Sequence, residues 1–228
     1  MSGRIVLVCK LKGGSGATTA CRELTAAALH DGKSVGLIDL DGQGGLAKWW
    51  NRRTAGGPDP SRPDPDLLQI TADRIPSAAR ALREKYDLVV IDSPPSVHEV
   101  IRLVAAAADL ALVPSRPTTD DIDAVGPIVR LLHGVVDQAF ILTQIPPARG
   151  SRDGAEALEV LAARAPILGR TIYRSDYSRP PARGMTGYEE HPAARREVAD
   201  LYAKVIERLG MTASQDDVIA SGQALGSS

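Results

Sequence analysis

The strongest constraint on the fold is a series of short apolar runs without polar alternation, each followed by a segment of helical period. Arg4–Lys10 (RIVLVCK), Ser34–Asp39 (SVGLID), Asp87–Asp92 (DLVVID), Leu110–Pro114 (LALVP) and Ala139–Gln144 (AFILTQ) carry Val, Ile and Leu on both parities. A strand that is apolar on both faces must be covered on both, which is the mark of a parallel sheet between two helical layers. Leu67–Thr71 and Arg170–Tyr173 read as two further strands. Helices are expected over Thr18–His30, Leu46–Arg52, Ile75–Tyr86, Val97–Ala107, Asp120–Leu132, Ala155–Ala165 and Pro192–Leu209. Right-handed crossovers between such units build an α/β, doubly wound, mostly parallel sheet with helices on both faces. A chain of 228 residues suits one such domain, over 1–210, with a polar and flexible tail expected over 211–228. The loop Arg53–Asp66 (RTAGGPDPSRPDPD) is rich in Pro, Gly and Asp and is expected to be a mobile excursion.

Composition narrows the function classes. The formal charge is −1, so nucleic-acid binding would need a local basic patch rather than a polycationic chain. Cys9 and Cys21 lie in apolar stretches and form neither a disulfide framework nor a zinc set, as expected of buried thiols in a reducing compartment. No run of about 18 apolar residues is present, and the N-terminus enters a strand without a signal-peptide pattern. The expected location is cytoplasmic.

The first strand runs into Lys12-Gly13-Gly14-Ser15-Gly16-Ala17-Thr18-Thr19 and then into a helix. A strand–glycine loop–helix junction aims backbone N–H groups and a helix dipole at one spot, which suits an anion. Glycines let the backbone wrap that anion without Cβ clashes. Thr18 falls where P-loops place a Mg²⁺ ligand. The usual string, G-x-x-x-x-G-K-[ST], is matched poorly, because Leu11 and Ala17 stand at its first glycine and its lysine. Two carboxylate segments follow in order, LIDLDGQ over Leu37–Gln43 and YDLVVIDSPPS over Tyr86–Ser96. A strand ending in Asp, as at Asp92, is how P-loop proteins hold Mg²⁺.

Taken together these segments resemble the deviant form K-G-G-x-G-K-[ST]-T of the ParA/MinD family of P-loop NTPases, with one substitution. The resemblance covers about residues 4–210 and implies an ATPase with ATP and Mg²⁺ as cofactors. By that resemblance Lys12 is the signature lysine that reaches across an ATP-sandwiched homodimer. Gly13, Gly14, Ser15, Gly16, Ala17, Thr18 and Thr19 hold the phosphates, and Asp41 orients the attacking water. Asp39 supports the Mg²⁺ shell or the loop, and Asp92, with Thr18, serves the metal. The segment Ser93–Ser96 couples the phosphates to the dimer face, and Gly42 replaces the family's proline. The adenine pocket falls near Ile141–Pro147 and the 174–181 loop, with Pro146 and Arg179 as candidates. The segment Leu110–Asp123 falls near the dimer interface.

Alanine at position 17 deletes the ammonium that caps the β- and γ-phosphates. A charge-assisted hydrogen bond is worth roughly 1.5–3 kcal/mol. Losing a preorganised charge at the transition state costs about 10²–10³ in rate. Weak binding and little hydrolysis are therefore expected. Lys10 precedes the turn and is not expected to reach the gap. Two explanations of Ala17 stand: an engineered Lys→Ala change, or a natural member that lost the lysine and works as a scaffold.

The family resemblance implies partitioning of plasmid or chromosome DNA. An ATP-bound dimer binds nonspecific double-stranded DNA, and a ParB-like centromere-binding adaptor releases it, so the protein would be nucleoid-associated. Arg195, Arg196, Lys204 and Arg208 on the last helix are the candidate phosphate contacts. The alternative is a hydrolysis-deficient scaffold, or an accessory protein of conjugative DNA transfer that positions a partner complex. Residues 211–228 contain no Lys, Arg or aromatic residue, which argues against a membrane-targeting helix.

Overall fold

The computed structural model describes residues 2–10, 12–57, 59, 62–95, 98–147 and 152–212, with the backbone alone for 152–156 and 180. Leu11, Ser96, Val97 and the tail beyond 212 lie outside the described residues. The chain alternates β1 (Arg4–Val8), α1 (Ala17–His30), β2 (Val35–Asp39), α2 (Gly45–Thr54), β3 (Asp66–Leu67), α3 (Ile75–Lys85), β4 (Leu88–Asp92) and α4 (His98–Ala105). It continues through β5 (Leu110–Ser115), α5 (Thr119–Leu132), β6 (Asp137–Ile145), α6 (Arg152–Ala162), β7 (Ile167–Ile172), α7 (Gly187–Glu190) and α8 (Pro192–Arg208). The seven strands form one sheet in the order β3-β2-β4-β1-β5-β6-β7. Every pairing is parallel.

The two parities of each strand feed two cores. Val6, Val8, Leu37, Val90, Leu112 and Ile141 pack under α1 and α8. Ile5, Leu7, Cys9, Ile91, Val113 and Phe140 pack under α3, α4, α5 and α6. This division is the period of two expected of strands buried on both faces. Cys9 and Cys21 are buried and free.

Strand order reverses at β1, which has β4 on one side and β5 on the other. Open α/β sheets bind ligands beyond the strand C-termini at such a switch point. Register aligns Val8 with Asp92 and Asp39 with Asp92, so the ends of β1, β2 and β4 bring their last residues into one row.

Several boundaries differ from the sequence reading for local reasons. β3 is only Asp66–Leu67, because the chain turns into a short 3₁₀ segment at Ala72–Arg74. β7 begins at Ile167 rather than Arg170, its pairing opened by Phe140 N–H donating to Pro166 O at 2.8 Å. Gly169 obscures that strand's pattern. A Cβ there would lie 2.7 Å from Leu201, so glycine lets α8 sit close on β7.

The Arg53–Asp66 segment is not a free excursion where it is described. Arg53 is 1% exposed, pairs with Asp64 and Glu189, and donates to Pro63 O. Trp50 Nε1 donates to Pro65 O at 2.7 Å. The loop is thereby tied to α2 and, through Glu189, to α7.

Candidate nucleotide site

The glycine loop leaves β1 and enters α1 with Gly14 at φ 84° and Gly16 at φ 90°, a left-handed backbone that favours glycine. The end of β6 holds it in place. Thr143 Oγ1 donates to Ser15 O at 2.7 Å, and Gln144 Nε2 donates to Gly14 O at 2.7 Å. Gln144 itself is held at φ 54°, the one described non-glycine residue with positive φ. A non-glycine residue held there costs about 1–3 kcal/mol and marks a position that its surroundings over-determine.

A cavity of about 370 Å³ opens over this loop. It is lined by the backbone from Gly13 to Thr19 together with Lys10, Asp41, Gln43, Gly45 and Gln144. The first-turn N–H groups of α1 have no side-chain cap, because Gly16 occupies the N-cap. They are available to an anion.

The carboxylates sit at the strand ends as their register requires. Thr18 Oγ1 donates to Asp92 Oδ2 at 2.6 Å. Asp92 is fully buried, and its Oδ1 finds no hydrogen-bond partner among the described residues. Burial pushes its carboxyl up to about 6, against the pull of Lys10 and Thr18. Burial also works against the Asp41 carboxylate, but Lys10 and the Gln43 N–H outweigh it and hold that group below its usual range. A hydroxyl and hard carboxylate oxygens, one of them orphaned, fit Mg²⁺. No group of three His, Cys, Asp or Glu gathers among the described residues, so such an ion would complete its shell with phosphate and water. Asp39 sits at the end of β2 and accepts from the Asp41 N–H through its Oδ1 at 3.1 Å. Its Oδ2 accepts from the N–H groups of Leu46 and Ala47 at 3.0 and 2.9 Å, and so caps α2.

Lys10 is drawn to the carboxylates. Its Nζ lies 2.6 Å from Asp41 Oδ2, 3.0 Å from Thr18 Oγ1 and 3.2 Å from Asp92 Oδ2. Its side chain is 8% exposed. Burial disfavours the ammonium, but Asp92 and Asp41 more than compensate and raise its pKa. The signal was present in the strand: period two puts Lys10 on the parity of Val6 and Val8, which faces α1 and therefore Thr18.

Lys12 points elsewhere. Its Nζ pairs with Asp121 Oδ1 at 2.6 Å at the first turn of α5, and Arg116 shares the same carboxylate. Arg116 and Asp121 form a cluster that the motif reading did not single out.

A second cavity of about 400 Å³ adjoins the first and shares Gly16, Thr19 and Gln144 with it. Ile141, Tyr177, Val198 and Leu201 give it an apolar lining, and Arg22 and Glu23 stand on its α1 side. Burial raises Glu23 to about 7, despite the Tyr188 and Gly187 N–H groups it accepts. The segments expected around adenine meet here, but the individual residues differ. Pro146 and Arg179 are exposed and line neither cavity, whereas Gln144, Tyr173, Arg174 and Ser178 do.

The four basic candidates on α8 are not equally available. Lys204 pairs with Asp200 at 2.7 Å and Arg208 with Asp137 at 2.6 Å. Arg195 lies over the Tyr188 ring and donates to Tyr188 O at 2.9 Å. Arg196 is exposed. No helix among the described residues is long and apolar enough to cross a membrane.

Comparison with known proteins decides the lineage. A family model described as VirC1 protein matches residues 3–218. The chain belongs to the VirC1 family. It is therefore a P-loop protein of the ParA/MinD type. The maintenance of carboxysome distribution protein A of Gloeobacter kilaueensis is 30% identical over 214 residues, covering 90% of this chain and 94% of that protein. The chromosome-partitioning ATPase Soj of Thermus thermophilus is 28% identical over 86% of this chain and 98% of its own length. Among solved structures, the septum site-determining protein MinD of Pyrococcus horikoshii complexed with Mg-ADP superposes with a TM-score of 0.69. It is 16% identical, over 89% of this chain and 96% of that one, and shares the fold. This VirC1-family chain thus stands among partition and positioning ATPases.

Proposed function

We propose that this VirC1-family chain is an ATP-driven positioning protein of the partition type. It takes ATP with Mg²⁺ in the P-loop cavity and pairs with a second copy through Lys12. In that form it binds duplex DNA without reading sequence, and a ParB-like centromere-binding adaptor releases it. The observation that carries the reading is the cavity lined by Gly13–Thr19, in which Thr18 donates to the buried Asp92 behind it. The relatives' own names point the same way, since one partitions chromosomes and another distributes carboxysomes.

In this reading the uncapped N–H groups of α1 and the loop hold the phosphates. Thr18 and Asp92 would hold Mg²⁺, which when bound neutralises phosphate charge. Asp41, at the cavity wall, faces the position from which water attacks. Hydrolysis is slow, because Ala17 puts no ammonium beside the β- and γ-phosphates. Ala17 also favours a second reading, a hydrolysis-deficient scaffold or a conjugative DNA-transfer accessory protein. The two part on one measurement, molar mass in solution with and without ATP and Mg²⁺. A partition-type switch doubles in mass on ATP, whereas a nucleotide-independent scaffold has the same mass in both conditions.

Lys12 cannot reach a partner while Asp121 holds it. Such a partly exposed pair is worth up to about 1 kcal/mol. Asp121→Asn is expected to tighten the ATP-dependent dimer by about two- to fivefold, read by sedimentation. Weaker dimerisation in that variant would show that Asp121 helps to build the interface instead.

DNA binding is expected to be strongly salt-dependent. With Arg195 and Arg196 engaged from both protomers, log K should fall with log salt at a slope of about −4, and with all four basic side chains at about −7. Arg196→Ala should reduce that slope by about two. An ATP-bound dimer that fails to bind duplex DNA even at low salt would remove DNA from the reading.

A further inference from the structure

We propose that Lys10, at the end of the first strand, supplies the phosphate-directed ammonium that position 17 lacks. The proposal rests on the nucleotide reading of the P-loop cavity and adds a binding residue to it. Among the described residues lining that cavity, Lys10 carries the one cationic side chain. Lys12 and Arg116 are both committed to Asp121, Lys48 to Gln43 O and Arg22 to Thr19 Oγ1.

Charge balance favours the assignment. Asp41 lines the cavity, Asp92 lies buried behind Thr18, and a polyphosphate would add several more negative charges. Arg22, Lys48 and Arg116 approach the cavity's lining residues from outside it, so without Lys10 no cationic side chain would line the cavity among the described residues. At about 4 Å, each like-charge contact in a partly buried site opposes binding strongly. Lys10 lies within hydrogen-bond distance of both carboxylates and of the Thr18 hydroxyl. Thr18 is in the first turn of α1, where an anion on the uncapped N–H groups would sit. The Lys10 backbone is fixed, its N–H donating to Ser93 Oγ at 2.8 Å, so the side chain starts from a set direction. Its four-carbon stem can then move the ammonium from carboxylate to phosphate without moving the strand.

The three oxygens that hold the Lys10 ammonium include those suited to Mg²⁺. Two cations compete for the same donors there, which turns Lys10 outward to the phosphates. A lysine at position 17 would place a second ammonium in the same cavity. Lys10 and Ala17 therefore read as one exchange of position, from the helix start to the strand end.

The test uses four proteins: wild type, Lys10→Met, Ala17→Lys and the double variant. ATP affinity is measured by calorimetry in the presence of Mg²⁺, with thermal melts to confirm folding. Lys10→Met is expected to lose about 10- to 100-fold in affinity, the value of one charge-assisted contact. The double variant should recover most of that loss, because the ammonium returns from position 17. Lys10→Met binding as tightly as wild type overturns the assignment but leaves the nucleotide reading intact. Failure of all four to bind ATP overturns both. Because Lys10→Met leaves buried Asp92 without its cation and can unfold for that reason, a second measurement uses wild type alone. A structure with ATP bound should place Lys10 Nζ within hydrogen-bond distance of a phosphate oxygen. An ammonium still seated on Asp41 and Asp92, with no phosphate contact, would overturn the proposal.

Discussion

Replacement of Arg53 by methionine is expected to destabilise the protein by about 3–5 kcal/mol, the usual result of removing one partner from a buried ion pair. Arg53 is among the largest fully buried side chains. Its Nη2 lies 2.8 Å from Glu189 Oε1, and its Nε lies 2.9 Å from Asp64 Oδ1. Both are close contacts off hydrogen-bond alignment. The aligned bonds run from Nη1 to Glu189 Oε2 and Gly184 O, and from Nη2 to Pro63 O. Methionine fills much of the same volume and satisfies none of these acceptors, so Glu189 would be left as a buried charge. A domain of this kind has about 5–15 kcal/mol in total. The variant should therefore melt in urea at a markedly lower midpoint. Adding Glu189→Gln to Arg53→Met should recover part of the loss, because removing both partners costs less than orphaning one. A single-variant loss under about 1 kcal/mol would mean that water reaches Glu189 and that the region is looser than its burial implies.

The same pair sets a pH dependence. Burial works to raise the Glu189 carboxyl, but His30, Arg53 and Thr186 hold it down at about 2. A depressed carboxyl contributes stability that is present above its ordinary value near 4.5 and is lost as pH falls towards 2. Glu23 has the opposite sign. Its raised value of about 7 means that its contribution is full below the ordinary value near 4.5 and is lost as pH rises through 7. The two together favour a stability maximum in mildly acidic solution, which Arg53→Met should blunt on its acid side.

What the residues alone disclose depends on how far apart the interacting partners are. The alternation of apolar strands with helices is local, and so is the glycine loop between β1 and α1, so the parallel sheet and the left-handed glycine turn at its switch point were readable in advance. The end of β4 was readable for the same reason, since Asp92 closes an unbroken apolar run. Arg53 was not. Its partner Glu189 is 136 residues away, and it opens a Pro- and Gly-rich stretch whose composition resembles a free loop. Pro146 and Arg179 failed as pocket residues because a segment can be placed by topology while its rotation cannot. At β6 it is Gln144, strained at φ 54°, that turns towards the cavity. Lys10 lies between these cases. Strand parity assigned it to the α1 face, but only the folded register of β1 against β4 shows that Asp92 awaits it there.

Restoring lysine at position 17 is expected to raise the rate of ATP hydrolysis by about 10²–10³-fold, the typical effect of one preorganised charge on a transition state. Ground-state affinity should change far less, because Lys10 already brings an ammonium into the cavity. The distinction is one of direction. Lys10 enters from the strand end, among the carboxylates. A lysine at position 17 enters from the first turn of α1, beside the loop backbone that would hold the phosphates. Charge built up between the phosphates in the transition state is met by the second position, whereas bound phosphate oxygens are met by either. Two ammonium groups in one cavity of about 370 Å³ repel, so the gain should be larger in Ala17→Lys combined with Lys10→Met than in Ala17→Lys alone. Single-turnover hydrolysis with ATP and Mg²⁺ in excess of the binding constant separates rate from affinity. A gain of the expected size means that the remaining machinery, including Asp41 and the Thr18–Asp92 pair, is competent and that Ala17 sets the rate. No gain in either background means that Asp41 does not aim water at the phosphate, and the chain is then a nucleotide-gated scaffold whose cycle ends by release rather than by hydrolysis.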